Sequence, residues 1–141
     1  MISKKKILMI LMLLVLIIVI ILLLSSKGIL GKKPFKNLES SDILSISVFA
    51  IPPNKTVLIN DNEHIKEITA ILNTVVIYQR DDSGRDNFGQ LVQYTLKMKD
   101  GSSLEVGAYN PFVFVNGKSY KTKYQPCENL NSLGNKLINE K

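Results

Sequence analysis

The side chains able to do chemistry in this chain are few: one cysteine, one histidine, and a charged run in "YQRDDSGRDNFGQ" from Tyr78 to Gln90. Cys127 stands in "QPCENL", close to where a helix would begin. A thiol so placed can have a lowered pKa and act as a nucleophile. A thiol enzyme would need His64 as its base, brought by the fold to within about 3.2 Å. The plainer reading gives Cys127 to packing, because it shares a helical face with Leu130, Gly134 and Leu137, and unpaired cysteines behave as small hydrophobes. His64 then reads as a surface residue in the first turn of another helix. Zinc needs three or four convergent ligands, which one cysteine and one histidine do not supply. A calcium loop wants oxygens at alternate positions and a glutamate at the twelfth. Counted from Asp81, the third position is Ser83, the fifth Arg85 and the twelfth Val92. That is the composition of a solvated turn, with Arg80 and Arg85 pairing with the aspartates at the surface. No phosphate loop, G-x-S-x-G elbow or metalloprotease helix is present in the sequence. No cofactor and no metal are therefore expected, and Cys127 and His64 are the catalytic candidates that remain.

A third feature is "YNPFVFVNGKSYKTKY", where Tyr109, Phe112, Phe114, Tyr120 and Tyr124 interleave with Lys118, Lys121 and Lys123. Such a pattern suits a stacking platform for single-stranded nucleic acid, and suits a half-buried hairpin equally well. Charge decides between them. The formal net charge is +6, but seven lysines and no acid precede Asn37, so the remainder carries −1. The basicity belongs to the N-terminal region, and no nucleic acid is expected as a partner. A protein or peptide docking on an exposed sheet edge fits better. Nothing in the sequence defines an oligomeric state.

The elements that must position these residues begin with "KKKILMILMLLVLIIVIILLLSS". From Ile7 to Leu24 there are 18 residues without a polar side chain, enough for roughly 27 Å of helix against a hydrocarbon core of about 30 Å. The run exceeds a secretory h-region and lacks a good small-x-small cleavage site, so an uncleaved single span is expected. Residues 1–6 form a cytoplasmic tail, 7–24 the transmembrane helix, 25–37 a basic tether against lipid headgroups, and 38–141 an extracytoplasmic domain. Lysines flank the span on both sides, and the short N-terminal tail is the part more easily left inside. The localisation expected is the cell membrane, single-pass, with the N-terminus in the cytoplasm.

Beyond the tether, Leu44, Ile46 and Val48 alternate with serines as in a strand with one buried face. "KTVLIN" continues extended after Pro52 and Pro53. In "NDNEHIKEITAILN", Asn60 or Asp61 caps a helix whose Ile65, Ile68 and Leu72 share a side, with Asn73 as its stop. "VVIY" is a short strand, and "LVQYTLKMK" puts Val92, Tyr94, Leu96 and Met98 on one face. Asp100-Gly101 and Asn116-Gly117 predict hairpins whose two central residues both take positive φ. Pro126 suits the first turn of a last helix. The order predicts an α+β fold: the N-terminal transmembrane helix, then a small antiparallel sheet with two helices on one face.

"DILSISVF", "PPNKTVLI", "VVIYQRDDSGRDNFGQLVQYTL" and above all "PFVFVNGKSYKTKYQPCENLNSLGNKLI" resemble an extracytoplasmic domain of small membrane-anchored proteins of Gram-positive bacteria, which also trails some membrane-embedded antibiotic-sensing metallopeptidases. The resemblance covers about residues 38 to 139. It implies a membrane-displayed domain, carries over no catalytic residue, and implies no proteolysis, since the zinc helix is missing here. The function expected is a binding, sensing or accessory domain at the outer face of the cytoplasmic membrane, with a membrane-tethered thiol enzyme using Cys127 as the alternative.

Overall fold

The computed structural model describes residues 3–26, 28–86 and 89–140. Helix α1 spans Lys4–Ser26, about 35 Å at 1.5 Å per residue. It is long and apolar enough to cross a membrane, and no part of its apolar window is buried inside the protein.

The domain that follows runs β1 (Ile43–Ile51), β2 (Lys55–Ile59), α2 (Asn62–Thr74), β3 (Ile77–Arg80), β4 (Leu91–Met98), β5 (Ser103–Tyr109), β6 (Phe112–Val115), β7 (Lys118–Thr122) and α3 (Tyr124–Glu140). Among the described residues the strands form one antiparallel sheet in the order β2-β1-β4-β5-β6-β7-β3. Both α2 and α3 pack on the same face, which makes the fold α+β. The core lies between them: Ile46, Val48 and Ala50 of β1 and Val92, Tyr94 and Leu96 of β4 meet Ile65, Ile68 and Leu72 of α2 and Leu130 and Leu137 of α3, all buried. Their two-residue and helical periods are those of the sequence.

Several local expectations are corrected. Leu44 is 52% exposed while Ile43 is buried, because the pairing of β1 with β4 shifts register between Ile43 and Ser45. A bulge of this kind turns the residues before it onto the opposite faces. The third strand starts two residues late: Val75 is the buried C-cap of α2. At Asn116-Gly117 both residues have positive φ, +46° and +75°, as a two-residue turn requires. At Asp100-Gly101 only the glycine does, at +87°. There the Gly101 N–H donates to the Met98 carbonyl at 3.1 Å, so Lys99 and Asp100 are the turn's centre and Gly101 follows it as a bulge residue. Asp100 secures this by accepting from the Ser102 N–H at 2.8 Å.

The stretch expected to be a tether is docked on the domain. Lys32 exchanges two backbone hydrogen bonds with Ile77, of 2.7 and 2.8 Å, extending the sheet past β3. Phe35 is buried in the core, and the Asn73 amide donates to the Leu38 carbonyl at 3.2 Å. Asn73 is thus an anchor for this segment, while α2 runs on through Thr74. The folded unit therefore begins before residue 38.

Candidate functional site

Cys127 is the fourth residue of α3 and is 1% exposed. Its Sγ donates to the Phe112 carbonyl at 3.3 Å. Burial pushes the thiol up to about 12 from an ordinary value of 9.0. Desolvation of the thiolate outweighs what the nearby helix start could offer. His64 is held elsewhere: its N–H and its ring Nδ1 both meet Asp61 Oδ1, at 2.9 and 2.8 Å. Asp61 is the N-cap of α2, and its carboxyl lies below the usual value chiefly through the His64 backbone hydrogen bond. The structure thus gives the two candidates separate partners. Full-length protein in detergent micelles is expected to react with a maleimide far more slowly than its unfolded form, since the folded thiol holds roughly a thousandfold less thiolate. Equal rates in the folded and unfolded protein would place the thiol in solvent.

The charged loop is more ordered than a solvated turn. Asp82–Asp86 form a 3₁₀ turn, Arg80 pairs with Asp82 at 3.0 Å, and Asp81 meets Lys121 at 3.3 Å. Asp81 also accepts from the Ser83 N–H at 3.0 Å, and its hydrogen bonds to Ser83 lower its pKa most. Gly84 sits so close to the Phe112 ring that a Cβ there would stand 2.7 Å from it. The loop is therefore a cover for the open face of β6, with Asp81 and Asp82 committed to neighbours. Asn87, Phe88 and the expected Arg85 pairing lie outside the described residues.

The aromatic and lysine run does not make one surface. Phe112 is buried beneath the loop and Phe114 is half-buried on the open sheet face. Tyr120, paired with Val113, packs toward the core, and Tyr124 is exposed. Around Gly107 the open face has a shallow depression of about 190 Å³, lined by Leu91, Gln93 and Phe114.

A further concavity is polar, and periodicity did not single it out. Between the β5–β6 connection, the loop before β4 and the flank of α3 lies a cleft of about 410 Å³, lined by Gln90, Asn110, Glu128, Asn131, Ser132 and Asn135. Gln90 and Asn135 exchange hydrogen bonds of 2.6 and 3.0 Å, pinning the loop to the helix. The Asn110 amide nitrogen donates to Glu128 Oε2 at 2.9 Å, and Ser132 Oγ approaches Glu128 Oε1 at 3.4 Å. Because the carboxylate takes the amide nitrogen, the Asn110 oxygen must point elsewhere. It is buried and has no partner among the described residues, and the same is true of the Asn131 oxygen. A buried acceptor left unpaired costs about 1–3 kcal/mol. The Asn73 oxygen and the Ser119 hydroxyl, which do not line the cleft, are likewise buried without a partner. The cleft's signal was present in the sequence. Glu128, Asn131, Ser132 and Asn135 stand at i, i+3, i+4 and i+7, a polar stripe beside the apolar one.

No family model, curated protein or solved structure matches the chain.

Proposed function

We propose that the protein is a binding module held at a membrane. Helix α1 anchors it, and the α+β domain is displayed at the outer face of the cytoplasmic membrane as a sensing, inhibitory or accessory unit. The observation that carries this reading is the passage of the chain from an apolar helix that nothing in the protein covers into a segment bonded to the domain's own sheet. In water that helix would expose an apolar surface with no compensation. In lipid its backbone is satisfied internally and its side chains are at home. The docked segment keeps the domain close to the headgroups, where exposed Lys32, Lys33 and Lys36 meet anionic lipid. Lysines flank α1 on both sides, and the short N-terminal tail is the part more easily left in the cytoplasm. The polar cleft offers a place for a small ligand.

Reporter fusions after Lys141 test the topology. Alkaline phosphatase is expected to be active there and a fluorescent protein that folds only in the cytoplasm to be dark, with the fusion retained in carbonate-washed membranes. The reverse pair of signals would place the domain in the cytoplasm, and release by carbonate would remove the anchor.

A further inference from the structure

We infer that α1 and the α+β domain are joined into one rigid body at strand β3, and that this junction seats Ile29 and Leu30 in the phospholipid headgroup boundary and stands the domain on its β3 edge. The inference deepens the reading of the domain as a unit held at a membrane, and it rests on α1 being the anchor. The helix does not fray into the connection. The Ile29 N–H donates to the Leu24 carbonyl and the Gly28 N–H to the Ser25 carbonyl, both at 3.1 Å, with Gly28 at φ +69°. Two such bonds closed by a left-handed glycine are a Schellman stop. The chain is then fixed to β3 at three successive points. A Cβ on Gly28 would stand 3.0 Å from the Gln79 backbone nitrogen, so the end of the helix lies directly on the strand. One on Gly31, where φ is +72°, would stand 2.7 Å from Val76 Cγ1 and 3.0 Å from the Tyr78 ring. Lys32 follows at once with its two backbone hydrogen bonds to Ile77. Both glycines combine a positive φ with a close approach, which is the use that only a residue without a Cβ can serve.

Between the two glycine contacts Ile29 and Leu30 point outward, 53% and 57% exposed. They follow the last residue of the apolar run, Leu24, by five and six positions, and so reach the depth where hydrocarbon gives way to headgroups. Exposed Lys32 and Lys33 come next and bring charge to the phosphates. The domain has a polarity that fixes which edge faces the bilayer: seven lysines and no acid precede Asn37, while the remainder carries −1. An anionic leaflet therefore attracts the β3 edge and exerts no comparable pull on the rest. Strand β2 forms the opposite edge of the sheet, six strand spacings or about 29 Å away. A soluble protein is the poorer occupant for Ile29 and Leu30, because the span that precedes them delivers lipid to the same place.

The chain contains no tryptophan, so single tryptophans report position without background. Full-length protein is placed in lipid nanodiscs of equal parts phosphatidylcholine and phosphatidylglycerol, with bromine carried on the acyl chain near the headgroup as quencher from the lipid side and iodide as quencher from water. Leu30→Trp and Gln79→Trp are expected to be quenched by brominated lipid at least about threefold more strongly than Leu58→Trp, which is 56% exposed on the far edge about 29 Å off, and iodide is expected to reverse the order. The double variant Gly28→Val, Gly31→Val puts β-branched residues at positive φ, where they are genuine outliers, and should bring Gln79→Trp and Leu58→Trp to nearly equal quenching. The reporters in the otherwise unaltered chain decide the matter if that variant does not fold. Equal quenching of Gln79→Trp and Leu58→Trp in the unaltered chain, or a contrast that survives the double variant, would overturn the rigid junction. Leu30→Trp open to iodide would overturn the insertion, and Leu30→Trp hidden from both quenchers would mean a protein surface covers it and would overturn the lipid assignment. Leu16→Trp, in mid-span, reports the anchor separately: if lipid brominated at mid-chain fails to quench it, the reading of α1 as a span is what has failed.

Discussion

Replacing Phe35 with alanine destabilises the α+β domain by about 3–5 kcal/mol, the cost of removing a buried phenylalanine whose site cannot collapse. Phe35 is 4% exposed and belongs to the same core cluster as the sheet and helix residues. It sits with Leu38 over the end of the sheet, beside Leu104 and Val115. Thermal unfolding of the full chain in micelles measures the effect. Exposed Lys36, the next residue, serves as the control, and its alanine variant should stay within about 0.5 kcal/mol of the parent. A loss below about 1 kcal/mol for Phe35→Ala, well under the core range, would mean that residues 25–37 are a free linker after all. The result also bears on function. If α1 is anchored as proposed, a docked segment fixes how far the domain can stray from the bilayer, whereas a free one would let it range.

Gly134→Ala is expected to be destabilising even though alanine is the better helix former by about 1 kcal/mol. A Cβ at Gly134 would overlap Val92 Cγ1 and stand 2.9 Å from the Tyr94 hydroxyl oxygen. Both neighbours are fully buried side chains on a central strand, so neither can give way cheaply. Helix α3 would have to lift, and the hydrogen bond that Tyr94 donates to the Leu130 carbonyl would stretch with it. Overpacking of this kind costs about 1–3 kcal/mol, and the strained bond adds about 1 kcal/mol more. Together they outweigh the propensity gain and lower the melting temperature by roughly 5–15 °C for a domain of this size. Asn139→Ala, on the exposed side of the same helix, should be neutral or slightly stabilising by propensity alone. Should Gly134→Ala prove as stable as the parent, α3 would not approach β4 this closely, and the shape of the cleft on its flank would need revision.

These two positions illustrate how unevenly the molecule was legible. The spacing of Gly134 with Cys127, Leu130 and Leu137 puts it on the inward face of the last helix, and it lies there. That it must be glycine follows only from Val92, more than forty residues away. The residues around Phe35, two glycines, a proline and several lysines, are those of an irregular segment. Irregular it is, yet its contacts are with strands and a helix that come later in the chain. The cleft shows the same division. The polar stripe from Glu128 to Asn135 could be read from its period, but its partners Gln90 and Asn110 arrive from two connections whose meeting no local pattern announces. Cys127 is a case where spacing sufficed for the placement: its helical interval with Leu130, Gly134 and Leu137 points inward, and burial adds only the size of the desolvation that raises its pKa.

By itself the sequence determined the apolar helix, the two-residue and helical periods, the Asn116-Gly117 turn and the α+β class. Each rests on hydrophobicity or on backbone preference within a few neighbouring residues. Only the tertiary structure decided the strand order, the bulge that buries Ile43 in place of Leu44, the docking of residues 28–38, and the cleft beside α3. Those depend on register and contact between segments far apart in the chain, where a one-residue shift reverses which side chain faces inward.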